Sequence, residues 1–165
     1  MIKSAIVAAA MLVSTSAFAQ TCATPIHIQS NNANGLYAAP GATTCGADNT
    51  FPVFPGGISS PQPDIVYDFT AQGADATITL DASGSPLIGG LAILDACNDT
   101  ANIYGNASAT AAGQSISVSA SGLTDGSHYY LVVTSAPGSA DDNCGAFAGN
   151  ITGTLPVNLQ KFDVE

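Results

Sequence analysis

The stretch PDIVYDFTAQGADATITLD, Pro63 to Asp81, sets the pattern that the rest of the chain repeats. In two runs within it, 65–70 and 77–80, large apolar side chains recur at every second residue. A Gln72-Gly73 break separates the two runs. A period of two is typical of half-buried β-strands. The stretch therefore predicts two core strands joined as a hairpin, with five inward side chains: Ile65, Tyr67, Phe69, Ile78 and Leu80.

Similar short runs predict further strands at 26–28, 51–54, 89–95, 115–119, 127–135 and 145–153, and a terminal one at 155–165. The run 127–135 has apolar side chains on both faces, which indicates a central strand. Because of its prolines, 37–55 is predicted to be mostly loop, with 51–54 at a sheet edge. Residues 98–113 are polar and Ala-rich, without a predicted strand. We expect an antiparallel, jelly-roll-like β-sandwich of seven to nine strands.

The first twenty residues have the layout of a cleavable secretory signal, with Lys3, an apolar run from Ala5 to Val13 and small residues ending at Ala19. The apolar run is too short to span a bilayer. Residues 21–165 then form a single domain. We expect an exported protein, periplasmic, at the cell surface or extracellular, without insertion in the membrane.

The charge balance narrows the class of partner. Once Lys3 leaves with the signal, Lys161 is the only basic residue against twelve Asp and Glu, so the net charge is −11. Such a surface repels nucleic acids and anionic lipid headgroups. It favours metal cations and basic partners.

Four cysteines, Cys22, Cys45, Cys97 and Cys144, lie in the exported part. An even number in an oxidising compartment predicts two disulfides, and no C-x-x-C motif points to a metal or a catalytic thiol. Three pairings are possible. We expect Cys22 with Cys45, closing a loop-rich segment, and Cys97 with Cys144, joining two Asp-rich turns.

In their order along the chain, these features resemble the bacterial pre-peptidase C-terminal domains, which are small secreted β-sandwiches of jelly-roll type. The matching segments are Cys22, PDIVYDF at 63–69, ITL at 78–80, 91–98 with its Cys97, HYYLVV at 128–133, and 147–152 after Cys144. The resemblance implies a non-catalytic module, usually attached to secreted hydrolases and in some relatives a calcium-dependent binder of fibrous or polymeric surfaces. Here the domain fills the mature chain, so we expect a stand-alone surface, matrix or assembly protein.

Catalytic groups are few. The two histidines, His27 and His128, belong to no H-E-x-x-H motif and lie beside no G-x-S-x-G motif. His27 is predicted to be the outward residue of a strand and His128 a strand-end residue. The sequence has no arginine to clamp a carboxylate or phosphate. We predict no enzymatic activity; since triad residues are distant in sequence, a secreted hydrolase stays the third alternative.

Acidic side chains flank two of the cysteines. Asp95, Asn98 and Asp99 surround Cys97, and Asp141 and Asp142 precede Cys144. The expected Cys97–Cys144 bridge would bring the two turns together, and Ca²⁺ takes carboxylate, amide and carbonyl oxygens. These residues are therefore a candidate calcium site. Alternatively, the acids only solvate turns and cap strand ends.

Two other features suggest binding or assembly. Tyr37 and Tyr104, predicted in loops, are candidates for stacking on a sugar ring or a partner side chain, unless they pack locally. The run 155–165 either completes its own sheet or is donated to the edge of another copy by strand addition. The leading hypothesis is a secreted binding or structural module for an extracellular polymer or protein surface, and the second is a self-assembling filament subunit.

Overall fold

The computed structural model describes residues 21–29, 35–55, 57–97 and 99–153. Within these ranges the chain forms eleven β-strands and no α-helix. They are β1 (Ile26–His27), β2 (Leu36–Thr43), β3 (Val53–Phe54), β4 (Ile58–Ser59), β5 (Ile65–Thr70), β6 (Asp75–Asp81), β7 (Gly89–Leu94), β8 (Ile103–Ser108), β9 (Ile116–Ser121), β10 (His128–Ser135) and β11 (Ala146–Thr152). The all-β prediction is confirmed. The predicted signal segment and the predicted terminal strand lie outside the described residues.

Two sheets form the sandwich. The first has the order β1-β5-β10-β7-β8, the second has the order β2-β11-β6-β9, and β3 and β4 form a separate two-stranded ribbon. Neighbouring strands are antiparallel except for β1 and β5, which are parallel. β10 lies in the middle of the first sheet, as its two apolar faces predict. In the described part of the chain, no helix is long and apolar enough to cross a membrane.

The predicted hairpin at 63–81 is wrong, although both of its strands exist. β5 pairs with β10 and β1, whereas β6 pairs with β9 and β11 in the other sheet. The Gln72-Gly73 break therefore carries the chain from one sheet to the other. All five side chains predicted to point inward are buried in the core between the sheets. Alternation identified the buried face correctly because the period of two does not depend on which strand is the partner.

The first sheet is covered on both faces. Side chains such as Phe69, Leu91 and Leu131 face the second sheet in the main core. On the opposite face, a smaller apolar cluster contains Val66, Ala92, Leu94 and Val132, under Phe51 and Phe54 from the segment that forms the ribbon. This second cluster explains why every residue of β7 is buried.

Besides the two-residue β4 of the ribbon, two longer strands escaped prediction. β2 falls in the region expected to be loop, and β8 falls in the Ala-rich polar region. Both lie at sheet edges, where one side of a strand needs no ladder partner. Pro40 fits within β2 because an edge strand tolerates a residue without an N–H donor. Half-exposed edge strands also lack the strong alternation that marks central ones.

The disulfides pair Cys22 with Cys97 and Cys45 with Cys144, with Cα–Cα distances of 5.6 and 4.9 Å. The expected pairing is therefore wrong, although all four cysteines form disulfides. Thr43 of β2 lies opposite Ala146 of β11, so the residues two positions beyond each strand end, Cys45 and Cys144, meet. Strand pairing, and not distance along the chain, therefore decides which cysteine each cysteine bonds to.

The two long sides of the sandwich differ. On one side, the edge strands β8 and β9 close on each other, since a Cβ on Gly105 would lie 2.7 Å from Val118 Cγ2. On the other side, the edges are β1, which has two residues, and β2. Among the described residues, nothing closes this second side, and it holds the candidate site.

Candidate binding cleft

A cleft of about 490 Å³ lies between β2 of the second sheet and the β1–β5 edge of the first. This volume is within the usual range of small-ligand sites, roughly 300 to 1,000 Å³. The lining is mostly small and apolar. It consists of Ile26, Tyr37, Ala38, Ala39, Gly41, Ala42, Thr43, Cys45, Gly46, Ala47, Asp48, Ile65 and Tyr67.

Two tyrosines form the aromatic part of the cleft. The rings of Tyr37 and Tyr67 meet edge to face, with centroids 5.1 Å apart. Their exposed fractions are 6% and 2%, and burial raises the pKa of both hydroxyls, so both stay neutral at physiological pH. The Tyr37 hydroxyl is buried and has no hydrogen-bond partner among the described residues. An unpaired buried hydroxyl costs free energy, so the Tyr37 hydroxyl destabilises the folded state.

The turn after β2 forms the rim and is fastened on several sides. Thr44 N–H donates to the Gly145 carbonyl at 3.2 Å, and Ala47 N–H donates to the Thr44 carbonyl at 3.1 Å. The Cys45–Cys144 disulfide joins the same turn to the segment before β11. These bonds hold the rim in one conformation, which lowers the entropy that a ligand would have to remove on binding.

Asp48 provides the charge of the cleft. Asp48 is the only Asp, Glu, Lys, Arg or His among the described residues that line the cleft, and it is exposed. Its backbone carbonyl accepts the Asp64 N–H at 2.9 Å, so these two acidic residues are neighbours in the fold. Asp64 is buried and accepts the Phe51 N–H at 2.8 Å through Oδ2. Burial raises the pKa of Asp64 to about 6, and the nearby charge of Asp48 adds to the shift.

The two tyrosines predicted to bind sugars are not exposed loop residues. Tyr37 lies in β2 and lines the cleft with its ring buried. Tyr104 lies in β8, is half-buried, and packs edge to face on Tyr129 with centroids 5.0 Å apart. The structure therefore brings only Tyr37 to the cleft, and the expectation of two loop platforms is wrong.

The acidic turns predicted to hold calcium are not joined to each other, because Cys97 pairs with Cys22 and Cys144 with Cys45. Asp99 accepts hydrogen bonds from Ala101 N and from Asn102, which lower its pKa. In the ranges that the structure describes, no group of three or more His, Cys, Asp or Glu is placed to hold a metal ion. Asn98 lies outside those ranges. Calcium binding by Asp95, Asp99, Asp141 and Asp142 stays a prediction, without the bridge that motivated it.

The histidines lie outside the cleft. His27 is exposed, as predicted, and its Nδ1 lies 3.0 Å from Asp68 Oδ2. His128 Nδ1 lies 3.4 Å from Thr70 Oγ1 at the start of β10.

Asp48 was not among the predicted site residues, and Tyr67 was predicted only as a core residue. Tyr67 was assigned to the core on its alternation, which is correct. Asp48 is one of many acids in loops, and its place at the rim depends on the Cys45–Cys144 disulfide and on β2, neither of which was predicted. No local signal marks it.

No protein-family model and no curated protein matches the sequence. Among solved structures, the chain is similar to the carbohydrate-binding module CsCBM6-3 from Clostridium stercorarium, solved in complex with cellobiose. The TM-score is 0.34, and the sequences are 16% identical over 77% of this chain and 92% of that one. So distant a likeness supports no inference about the ligand. The β-sandwich fold agrees with the resemblance to pre-peptidase C-terminal domains, but no family model supports that family.

Proposed function

We propose that the protein is a secreted, non-catalytic binding module that acts at the cell surface or in the extracellular matrix, with the cleft beside β2 as its binding site. One observation carries this proposal. In the part of the chain that the structure describes, β8 and β9 close one side of the sandwich, whereas a cleft lined by two tyrosines lies along β1 and β2 on the other.

The covalent structure and the charge support an extracellular role. Two disulfides suit an oxidising compartment. A net charge of −10 for the whole chain disfavours polyanionic partners such as nucleic acids. The partner in this proposal is an extracellular polymer or a protein surface that inserts a group into the cleft.

Co-sedimentation with insoluble polymers tests the proposal. The processed protein is mixed with cellulose, chitin, peptidoglycan and collagen fibres, beside an Ala39→Trp variant that fills the mouth of the cleft. Ala39 is exposed and lines the cleft, so the indole should block it without entering the core. Ala111→Trp, at an exposed position outside the lining, is the matched control.

We expect at least one polymer to retain the wild type and Ala111→Trp but not Ala39→Trp. Equal retention of both variants would place binding elsewhere on the surface. Retention of none of the proteins by any polymer would remove the support for a polymer-binding role.

A filament subunit is the second candidate. In the described part of the chain, β2 pairs on one side only, with β11, and its other edge faces the open side of the sandwich. An unpaired edge is a template for strand addition. In this proposal the donor is 155–165 of another copy. Size-exclusion chromatography and negative-stain imaging of the protein with and without 155–165 test it: a monomer in both cases contradicts assembly.

A further inference from the structure

We propose that residues 49–54 form a pH-sensitive cap on the first sheet, which Asp64 holds closed and which opens more often once the Asp64 carboxyl loses its proton. Beneath the cap lies the smaller apolar cluster, here called the outer cluster: Val66, Ala92, Leu94 and Val132. The inference does not depend on the proposed function, because the Cys45–Cys144 disulfide holds the rim of the cleft separately.

The cap rests on the first sheet through two aromatic side chains. Phe51 and Phe54 are buried against the outer cluster. The strand within the cap, β3, pairs in the described chain with β4 and with no strand of either sheet. The hydrogen bonds of the two sheets therefore do not hold the cap down.

Asp64 attaches the base of the cap to the sandwich. Its Oδ2 accepts the Phe51 N–H at 2.8 Å, and its own N–H donates to the Asp48 carbonyl at 2.9 Å. Gln62 adds a second attachment, because its Nε2 donates to the Ser139 carbonyl at 3.0 Å. Among these three bonds, only the one to Asp64 Oδ2 uses a side chain that can gain or lose a proton.

The surroundings of Asp64 suit a neutral carboxyl. The residue is 1% exposed. The Thr50 hydroxyl lies near the carboxyl, but neither it nor Asp64 Oδ1 forms a hydrogen bond among the described residues. A buried carboxylate with one unpaired oxygen loses its hydration without full compensation. Burial and the charge of Asp48 raise the pKa of Asp64 to about 6, although contacts with Phe51 and Thr50 oppose the shift.

No cation faces this carboxyl in the described part of the chain. Both lysines lie outside the described ranges, and the two histidines contact Asp68 and Thr70, further along β5. Asp48 is the charged group that acts on Asp64, and like charges repel each other. Loss of the proton thus leaves an uncompensated negative charge at the base of the cap, and opening hydrates it.

Native-state hydrogen exchange, followed by NMR from pH 4 to 7, tests the cap. We expect the amides of Phe51 and Asp64 to exchange through an opening that low concentrations of urea do not promote, because it exposes little surface. The Ile78 amide, in a strand paired on both sides, should exchange only on global unfolding, which urea promotes.

The frequency of the cap opening should depend on pH. The pKa of Asp64 is about 6 in the closed cap and about 3.9 in a hydrated chain. Since opening releases a proton between these values, the protection factors of the Phe51 and Asp64 amides should fall about 100-fold from pH 4 to 6 and then level off.

Three variants identify the group that titrates. Asp64→Asn should lose the pH dependence of the cap, because the amide keeps an acceptor for the Phe51 N–H and does not ionise. Asp48→Asn, at an exposed position, should lower the pH at which the fall levels off. Asp125→Asn removes an equal charge from an exposed turn outside the cap and should change neither. If Asp64→Asn fails to fold, the wild type and Asp48→Asn still decide the question.

Two kinds of result would overturn the inference. If the Phe51 and Asp64 amides exchange only with the urea dependence of Ile78, the cap does not open separately from the rest of the fold. If the cap opens equally often from pH 4 to 7, or if Asp64→Asn keeps the pH dependence of the wild type, Asp64 does not control the opening.

Discussion

The ring of Tyr37 lies directly on Gly149 of β11, so that its Cζ atom occupies the space that a Cβ on Gly149 would need. Gly149 is buried, and Tyr37 is positioned over it from the neighbouring strand β2. The absence of a side chain at position 149 therefore decides where the aromatic wall of the cleft lies.

Replacing Gly149 by alanine should destabilise the protein. The new methyl group would overlap the Tyr37 ring, which must move, and overpacking of this kind typically costs about 1 to 3 kcal/mol. Urea unfolding followed by circular dichroism measures the change. Gly73→Ala is the matched control, because its Cβ would meet nothing closer than the Gly153 carbonyl oxygen at 3.7 Å. Equal stability of the two variants would contradict the placement of Tyr37.

The same substitution at two tyrosines should have opposite effects on stability. Tyr37→Phe removes a buried hydroxyl without a partner in the described chain, and should raise the free energy of unfolding by about 1 kcal/mol. Tyr129→Phe removes the acceptor of the Thr124 N–H, a 2.8 Å hydrogen bond, and should lower it by about 1 kcal/mol. Thermal and urea unfolding measure both. A loss of stability in Tyr37→Phe would show that its hydroxyl is satisfied in solution.

Asp64 should make the protein more stable at mildly acidic pH. Its pKa is about 6 in the folded state, against about 3.9 in an unfolded chain, so the folded state binds the extra proton between these values. Stability should therefore fall as the pH rises from about 4 to 6, by a total on the order of 3 kcal/mol. Unfolding measured from pH 4 to 8 gives the slope.

Asp64→Asn should remove this part of the pH dependence. The variant keeps an oxygen for the Phe51 N–H and cannot ionise. Mutual repulsion among the other acidic side chains also makes stability fall as the pH rises. Asp125→Asn, which removes one such charge elsewhere, is therefore the reference variant. Asp81 and Asp99, whose pKa values are lowered by hydrogen bonds, act in the opposite direction and only below about pH 4. Identical slopes in the two variants would contradict a buried, ionisable Asp64.

The disulfide pairing can be read from peptide masses under non-reducing conditions. Asp-N cleaves before aspartate, so Cys22 and Cys45 remain on one peptide ending at Ala47, with Cys97 on 95–98 and Cys144 on a third. The observed bridges should hold all three peptides together. A second cleavage after Tyr37 should release a Cys22–Cys97 pair and a Cys45–Cys144 pair. A Cys22–Cys45 bridge would instead leave the first peptide free of the others.

Much of the fold could be predicted because each strand carries its own alternation. β5, β6, β9 and β11 were placed correctly because large apolar side chains recur at every second residue, and β7 and β10 because they are mostly apolar runs. β2 and β8 were missed because edge strands rich in small residues have little alternation to detect, and β4 was missed because it has only two residues. Local patterns record how a segment is buried and not which segment covers it.

The candidate site was harder to predict for the same reason. Tyr37 was singled out, but as an exposed loop residue, because the strand that buries it was missed. Asp48 reaches the rim through a turn fastened by Cys45 and Cys144, 99 residues apart in sequence. Neither contact leaves a trace in the neighbouring sequence.

By itself, the sequence determined the class of the fold, the buried faces of its central strands, its acidity and the presence of four cysteines that form disulfides. Only the tertiary structure decided that β5 and β6 belong to different sheets, which cysteines pair, and that a cleft lies between β2 and the β1–β5 edge. Which face of a strand is buried is a local property, because side chains alternate between the two faces with a period of two residues. Which strands pair depends on how the chain crosses between the sheets and on contacts between distant residues. Tyr37 and Gly149, for example, lie more than a hundred positions apart.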